Sequence, residues 1–158
     1  MDKNKAVVDF IMTCPAIQNS PLFYNYGKVE DGNRQIITLA NDIKSNTAYI
    51  DGSVRKTYMF TLIDYKSVSN MAVINREGAV DENIESAFEA QQLIDWVEEQ
   101  SELRNYPNFG ADCVIDDMHV VTDQPNMNGI DRAVTPALAK YSISIRIDYI
   151  DYSKAIWK

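Results

Sequence analysis

The sequence predicts a single α/β (α+β) domain, in which a mixed or mainly antiparallel sheet of four to five strands is flanked by an N-terminal helix and one long central helix. Three observations support this fold class. Apolar and polar residues alternate without interruption from Tyr141 to Tyr149, which is typical of a strand with one buried face. Asp51-Gly52 separates two β-rich segments and favours a hairpin. Residues 82–103 repeat their apolar positions at the helical period instead.

The first element is a short helix predicted at residues 3–14. Val7 and Ile11 share one face of it, and Pro15 ends it because the residue before a proline avoids the helical region. The other predicted segments before the central helix are extended chain at 22–26 and strands at 35–39, 47–53 and 56–63.

Strand 56–63 is expected to be central, because both of its faces are at least partly apolar. Such a strand is usually covered on both sides. After the central helix, we expect a strand at 113–121 and a closing strand at 138–150, paired as a hairpin. Residues 122–136 between them are predicted to form a long polar loop, and a loop of that length is usually functional or mobile.

The central helix carries two apolar stripes. The first is formed by Ala87, Ala90, Leu93, Ile94 and Val97. Phe88 and Trp96 lie on nearly the opposite side of the helix and are joined through Gln92. A helix resting on one sheet needs only one apolar stripe, so the aromatic stripe has to meet something else. Another segment of the same chain and a neighbouring subunit are both open alternatives.

The charge of the chain argues against nucleic-acid binding. Lys and Arg number 15 against 23 Asp and Glu, which gives a formal charge of −8. Basic residues such as Arg55, Lys56 and Lys140 are isolated among acids, and they form no basic stripe with interleaved aromatic residues. A surface this acidic repels phosphate, and it also does not hold a duplex that moves past it.

The sequence predicts a soluble protein that is assembled in the cytoplasm. No segment approaches the roughly 20 apolar residues that a membrane helix needs, and the first residues lack the apolar run of a signal peptide. Cys14 and Cys113 lie far apart and have no metal-binding or redox spacing. We expect both to be small buried side chains, and we expect no membrane partner.

Catalytic motifs are missing from the sequence. The single histidine, His119, lies in an apolar run and is expected to be structural. Asp116 and Asp117 are neighbours on a predicted strand, where successive side chains point to opposite faces, so they are not expected to serve one site. There is no nucleophile elbow, phosphate-binding glycine loop or HExxH motif. We therefore predict a protein with no catalytic residue, no cofactor and no bound metal.

Several motifs carry a family resemblance through their order along the chain. They are Phe10-Ile-Met-Thr-Cys-Pro15, then Tyr49-Ile-Asp-Gly-Ser53 with Tyr58-Met-Phe-Thr-Leu62, then Phe88 leading into Trp96-Val-Glu-Glu-Gln100 with Asn105-Tyr-Pro-Asn-Phe-Gly110, and the closing strand 141–149. Together they resemble the tail terminator proteins (tail completion or minor capsid proteins) of phages that infect Gram-positive bacteria. The resemblance covers residues 8–150, and the segment 122–136 is longer than the family pattern.

The resemblance implies a structural role and one tail-terminator-like domain over residues 1–158. Such proteins form a ring, usually a hexamer, on the head-proximal end of a tail tube in phages or in headless bacteriocin particles. The ring stops tube polymerisation and joins the tail to the neck. The implied partners are further copies of the chain, the tail tube protein, the neck or connector protein and, in contractile tails, the sheath. DNA passes without specific binding, and the location is the virion tail after assembly in the host cytoplasm.

A closed ring needs two different complementary patches on each subunit. The Phe88–Trp96 stripe and the exposed part of the sheet are the predicted patches. The candidate contact residues for subunits or tube are Phe88, Gln92, Trp96, Asn126, Met127 and Trp157. Two other functions stay open: a neck or head–tail connector subunit, and a small acidic inhibitor that binds a basic protein.

Overall fold

The N-terminal helix, α1, spans Lys3–Ile11 and begins where Asp2 caps it. The Asp2 side chain accepts a hydrogen bond from the backbone N–H of Asn4 (2.9 Å), as a carboxylate at this position commonly does. The helix ends at Ile11 rather than at residue 14, because the N–H of Thr13 donates to the carbonyl of Phe10 (3.0 Å). A bond of this shorter span tightens and closes the last turn.

A computed structural model describes residues 2–17, 22–25, 34–38, 46–67, 82–121, 126–131 and 138–156 of the chain. These residues form two helices and seven strands. After α1 they are β1 (Leu22–Tyr24), β2 (Arg34–Thr38), β3 (Thr47–Ala48), β4 (Val54–Ser67), α2 (Glu82–Glu102), β5 (Cys113–Val120), β6 (Asn126–Asp131) and β7 (Leu138–Asp151).

The strands form one sheet whose main path runs β1–β2–β4–β7–β5, with β3 paired to β4 and β6 paired to β7. β1 and β2 are parallel, and the other pairings are antiparallel. The turn at Asp51-Gly52 joins β3 to β4, as predicted. The prediction of one α+β domain with a mixed, mainly antiparallel sheet and two helices is confirmed.

Strand β7 lies at the centre of the sheet. β4 pairs with it along its whole length, from Val54 opposite Asp151 to Ser67 opposite Leu138. β5 and β6 share the other edge of β7, with β6 beside its first half and β5 beside its second half. The predicted pairing of 138–150 with 113–121 is therefore confirmed, although β6 comes between the two strands and they do not form a simple hairpin.

The prediction of a loop throughout 122–136 is wrong, because residues 126–131 form strand β6. The sequence Asn-Met-Asn-Gly-Ile-Asp has little intrinsic preference for a strand. It pairs with β7 through a register shift between Met127 and Gly129. Pairing with a long, strongly β-forming neighbour therefore determines this strand, rather than its own composition.

Both helices pack on the same face of the sheet, which we call the core face. The buried residues of β7 on this face are Tyr141, Ile143, Ile145, Ile147 and Tyr149, as the alternation predicted. The helices add Val7, Phe10, Ile11, Ala90, Leu93, Ile94 and Val97 to the same cluster. Neither described helix has the length and apolar character needed to cross a membrane.

The opposite face of the sheet, the second face, has no helix over it in the described parts of the chain. Ile63 and Tyr65 of β4 lie there in a small buried cluster with Ile37 and Leu138. The prediction that β4 is central is confirmed, but helical cover on both sides is not found among the described residues. Ile63, Tyr65 and Leu138 are nonetheless buried on this face, and the partly buried Ile37 packs against them.

Candidate interaction surfaces

The two aromatic residues of the stripe on α2 have different surroundings. The ring centre of Trp96 lies 5.1 Å from that of Phe10, so α1 of the same chain packs against it. Phe88 is 61% exposed, and Gln92 between them is also exposed. The two alternatives left by the sequence therefore apply to different residues: the same chain meets Trp96, whereas Phe88 is open to a partner.

A groove of 610 Å³ runs beside Trp96, between α2 and the turn that follows α1. We call it the helix groove. The side chains of Asp95 and Glu99 place two carboxylates along its α2 side, so the groove is acidic. Its full lining is Cys14, Pro15, Ala16, Gln92, Asp95, Trp96 and Glu99.

The two cysteines do not resemble reactive thiols. Cys14 is buried, and its burial raises the pKa of the thiol above the ordinary value, against a smaller opposing effect of Arg34. Cys113 is half-buried, and burial raises its thiol pKa as well. Because the thiolate is the nucleophile, both thiols are weakly reactive at neutral pH. The prediction of a small buried side chain is confirmed for Cys14 and only partly for Cys113.

A β-bulge in β5 redirects the adjacent acids Asp116 and Asp117. The register shifts between Ile115 and Asp117, and Asp117 then lies opposite Asp148. Arg55 Nη2 is 2.9 Å from Asp116 Oδ2 and 4.0 Å from Asp148 Oδ2. The prediction that the two adjacent carboxylates cannot serve one site is wrong, because it assumed an unbroken strand and a bulge inserts one extra residue.

Asp148 is the centre of the charged cluster on the second face, which consists of Arg55, Asp116, Asp117, His119, Arg146 and Asp148. It is only 6% exposed. Thr57 Oγ1 and Arg146 Nε donate hydrogen bonds to Asp148 Oδ1, at 2.7 and 3.0 Å. A buried carboxylate is costly without such partners. The cluster therefore supplies hydrogen-bond partners to Asp148, which lies on the polar face of β7.

Three members of the cluster could together hold a cation. The ligand atoms of Asp117, His119 and Asp148 lie within 4.8 Å of one another, and His119 Nδ1 is 3.0 Å from Asp117 Oδ2. Mixed imidazole and carboxylate ligands suit zinc and similar ions. However, Arg55 and Arg146 both approach Asp148, and two guanidinium groups would repel a cation. The residues fit an ion-pair network better than a metal centre.

A second exposed surface, which sequence reasoning missed, lies at the end of the sheet where β4 begins. We call it the hairpin patch, and its residues are Tyr49, Ile50, Val114, Ile150, Tyr152 and Ile156. Ile50, in the turn between β3 and β4, is fully exposed, and Val114 and Ile156 are also exposed. The available signal was an isoleucine beside Asp51-Gly52, at a turn position where polar residues are usual.

Several contacts fix the conformation of the turn that carries Ile50. Gly52 has a φ of 88°, and a Cβ on it would lie 2.7 Å from the carbonyl oxygen of Lys154. The Asp51 carboxylate accepts hydrogen bonds from the backbone N–H and the hydroxyl of Ser53 (2.9 and 2.6 Å), which lower its pKa. The Asp51 carbonyl accepts from the N–H of Ile156 (2.7 Å). A rigid turn presents its side chain to a partner at little entropic cost.

The remaining candidate contact residues are Asn126, Met127 and Trp157. Asn126 and Met127 belong to β6, where their backbones lie opposite Ser142 and Tyr141 of β7. Their backbones are therefore part of the sheet. Their side chains and the whole of Trp157 lie outside the described residues.

No protein-family model matches this chain, and a search of curated proteins finds no match to it.

Proposed function

We propose that this protein is a ring-forming structural subunit that closes the head-proximal end of the tail tube of a phage, or of a phage-derived bacteriocin particle. The ring stops tube polymerisation and joins the tail to the neck. One observation carries the proposal: a single small domain exposes two unlike surfaces, the helix groove with Phe88 and the hairpin patch with Ile50. Head-to-tail contacts in a closed ring require two unlike surfaces.

The motifs that resemble tail terminators coincide with these surfaces. Tyr49–Ser53 forms the hairpin turn. Trp96 and Glu99 belong to the motif at 96–100 and line the helix groove. The motif at 10–15 supplies Phe10, which packs on Trp96, and further groove residues. The resemblance therefore involves residues that are available to partners as well as residues of the core, and this supports an assembly role.

The charge distribution is consistent with a channel wall that DNA passes. The net charge is −8, and several basic side chains on the sheet are paired with acids, as Arg55 is with Asp116 and Lys56 with Asp151 (2.9 and 2.7 Å). Paired cations offer little attraction to phosphate. We propose a negatively charged channel through the ring, and a neutral or basic lining in a ring structure would contradict it.

The proposal is tested with the tail-tube protein encoded in the same genome. Added to polymerising tube protein, the purified chain is expected to shorten the tubes and to leave a ring at one tube end in electron micrographs. Native mass spectrometry of capped tubes is expected to give six copies per end. Leu103→Ser, at an exposed residue outside both surfaces, is the control and should act as the wild type does. Unchanged tube length with no binding at tube ends would contradict the proposal.

A further inference from the structure

We infer that neighbouring copies in the ring are joined by the hairpin patch of one copy, led by Ile50, entering the helix groove of the next copy. The inference rests on the proposed function for the existence of the ring. It adds the identity of the two surfaces that meet.

The two surfaces are placed so that one copy cannot satisfy both by itself. The hairpin patch lies at the end of the sheet where β4 begins, at Val54. The α2 side of the helix groove lies further along the sheet, because Glu98, next to the groove residue Glu99, accepts a hydrogen bond from the backbone N–H of Val120 (3.0 Å). Val120 lies opposite Ile145 of β7, and Ile145 lies opposite Phe60 of β4. From Val54 to Phe60 a strand rises about 20 Å. Two surfaces that far apart on one copy can meet only between copies, head to tail.

The two surfaces also match in their apolar character. Ile50 projects from a turn that Gly52 and Ser53 hold in place, and its side chain is fully exposed. In the groove, the side chain of Trp96 is half-buried and offers an aromatic contact. Removal of an exposed isoleucine from water is favourable, and a fixed apolar anchor in a preformed hollow is typical of the centre of an interface.

Charge supplies a second and independent match. Two copies that each carry −8 repel, so a contact between them needs opposite charges where they touch. The groove presents Asp95 and Glu99. The exposed Lys154 lies beside the hairpin, because its carbonyl oxygen contacts the position of Gly52. The approach of the hairpin therefore brings an ammonium group to an acidic groove.

The test exchanges the two charges across the proposed contact. Ring assembly is measured by mass photometry. If the free chain is monomeric, assembly is measured on tube ends instead. Glu99→Lys and Lys154→Glu are each expected to raise the concentration needed for half-assembly by at least about tenfold, which corresponds to about 1.4 kcal/mol. The combined variant exchanges the two charges and is expected to recover most of the wild-type assembly. Failure of the combined variant to recover would overturn the inference.

A mixing experiment separates head-to-tail contact from a symmetric one. Ile50→Asp disables the hairpin and Ala16→Arg blocks the groove, since both residues are exposed and neither change disturbs the core. Each variant alone is expected to stay monomeric. Their mixture is expected to form dimers and no rings, because one working hairpin meets one working groove. Leu103→Ser again serves as the control, and thermal melting confirms that each variant is folded.

The outcomes distinguish this inference from the proposed function. Normal rings from Ile50→Asp, or a mixture that stays monomeric while the wild type forms rings, would overturn the contact and leave the proposed function standing. A wild-type chain that never binds a tube end would overturn the proposed function itself.

Discussion

At the scale of single residues, the acids of the sheet depend on partners from neighbouring strands. Asp148 is bonded by Thr57 of β4 and by Arg146 of its own strand. Asp151, at the end of β7, accepts a hydrogen bond from Lys56 of β4 (2.7 Å). The bonds from Thr57 and Lys56 tie β7 to residues that precede it in the chain by about ninety positions, so local sequence does not reveal them.

Replacement of Asp148 should cost more stability than replacement of Asp116, although both contact Arg55. Asp148→Asn removes the buried negative charge that accepts two hydrogen bonds. We expect the free energy of unfolding to fall by about 1–3 kcal/mol. Asp116 is about half exposed, so we expect Asp116→Asn to cost at most about 1 kcal/mol. Urea denaturation of both variants measures the difference. Equal losses in the free energy of unfolding would mean that the burial of Asp148 does not add to the stability that its hydrogen bonds contribute.

Asp151 should make stability depend on pH in the acid range. Its pKa in the folded protein is held well below the ordinary value by hydrogen bonds, first from Lys56 and then from Ser153. A depressed pKa contributes stability above the unfolded value of about 3.9, and this contribution is lost as pH falls towards the folded pKa. We expect Asp151→Asn to cost about 1–2 kcal/mol near pH 5, and less near pH 2.5.

The pH prediction is checked by denaturation of wild type and variant at both pH values. Because other acids titrate equally in the two proteins, the difference between them isolates Asp151. A difference that stays constant or grows as the pH is lowered would contradict the assignment.

At the scale of elements, helix α2 presents two aromatic residues with opposite roles. Trp96 is half-buried and packs against Phe10 of α1, so we expect Trp96→Ala to expose apolar surface of Phe10 and cost about 1–3 kcal/mol. Phe88 is mostly exposed, and we expect Phe88→Ala to change stability by no more than about 0.5 kcal/mol. The two variants are matched by their position on one helix face, and thermal or urea unfolding separates them.

The elements with strong local patterns were predictable from the sequence. The alternation at 141–149 and the Asp51-Gly52 turn predicted β7 and its neighbouring hairpin. β6 and the bulge in β5 were not predictable, because both arise from pairing with β7. Composition reports what a segment prefers alone, and here a long neighbouring strand outweighs that preference.

The candidate surfaces were predictable only in part. Helical periodicity singled out Phe88, Gln92 and Trp96, but it could not tell that α1 packs on one of the two aromatic rings. The apolar patch around Ile50 depends on Val114 and Ile150, which come together only through the register of β5 and β7. Because these residues are far apart in the sequence, the patch becomes apparent only when the pairing of the strands is known.

At the scale of the whole molecule, the charge of −8 should make assembly depend on salt. Copies of an acidic subunit repel over long distances, and about 150 mM salt screens this repulsion beyond roughly 8 Å. The proposed pair of Lys154 with Glu99 acts at short range and is weakened less. We expect more rings at about 150 mM than at about 20 mM salt, measured by mass photometry. Fewer rings at the higher concentration would mean that local ion pairs outweigh the net charge.

The position of β7 in the chain has a consequence for synthesis. It pairs with β4, β5 and β6, and all three precede it. Until residues 138–151 have left the ribosome, β5 and β6 lack the strand with which they pair, and of the described strands β4 has only β2 and β3 beside it. Long-range pairing of this kind is slow and leaves nascent chains prone to aggregation. A chain that ends at residue 137 should therefore aggregate, whereas a chain that includes residues 138–151 should fold.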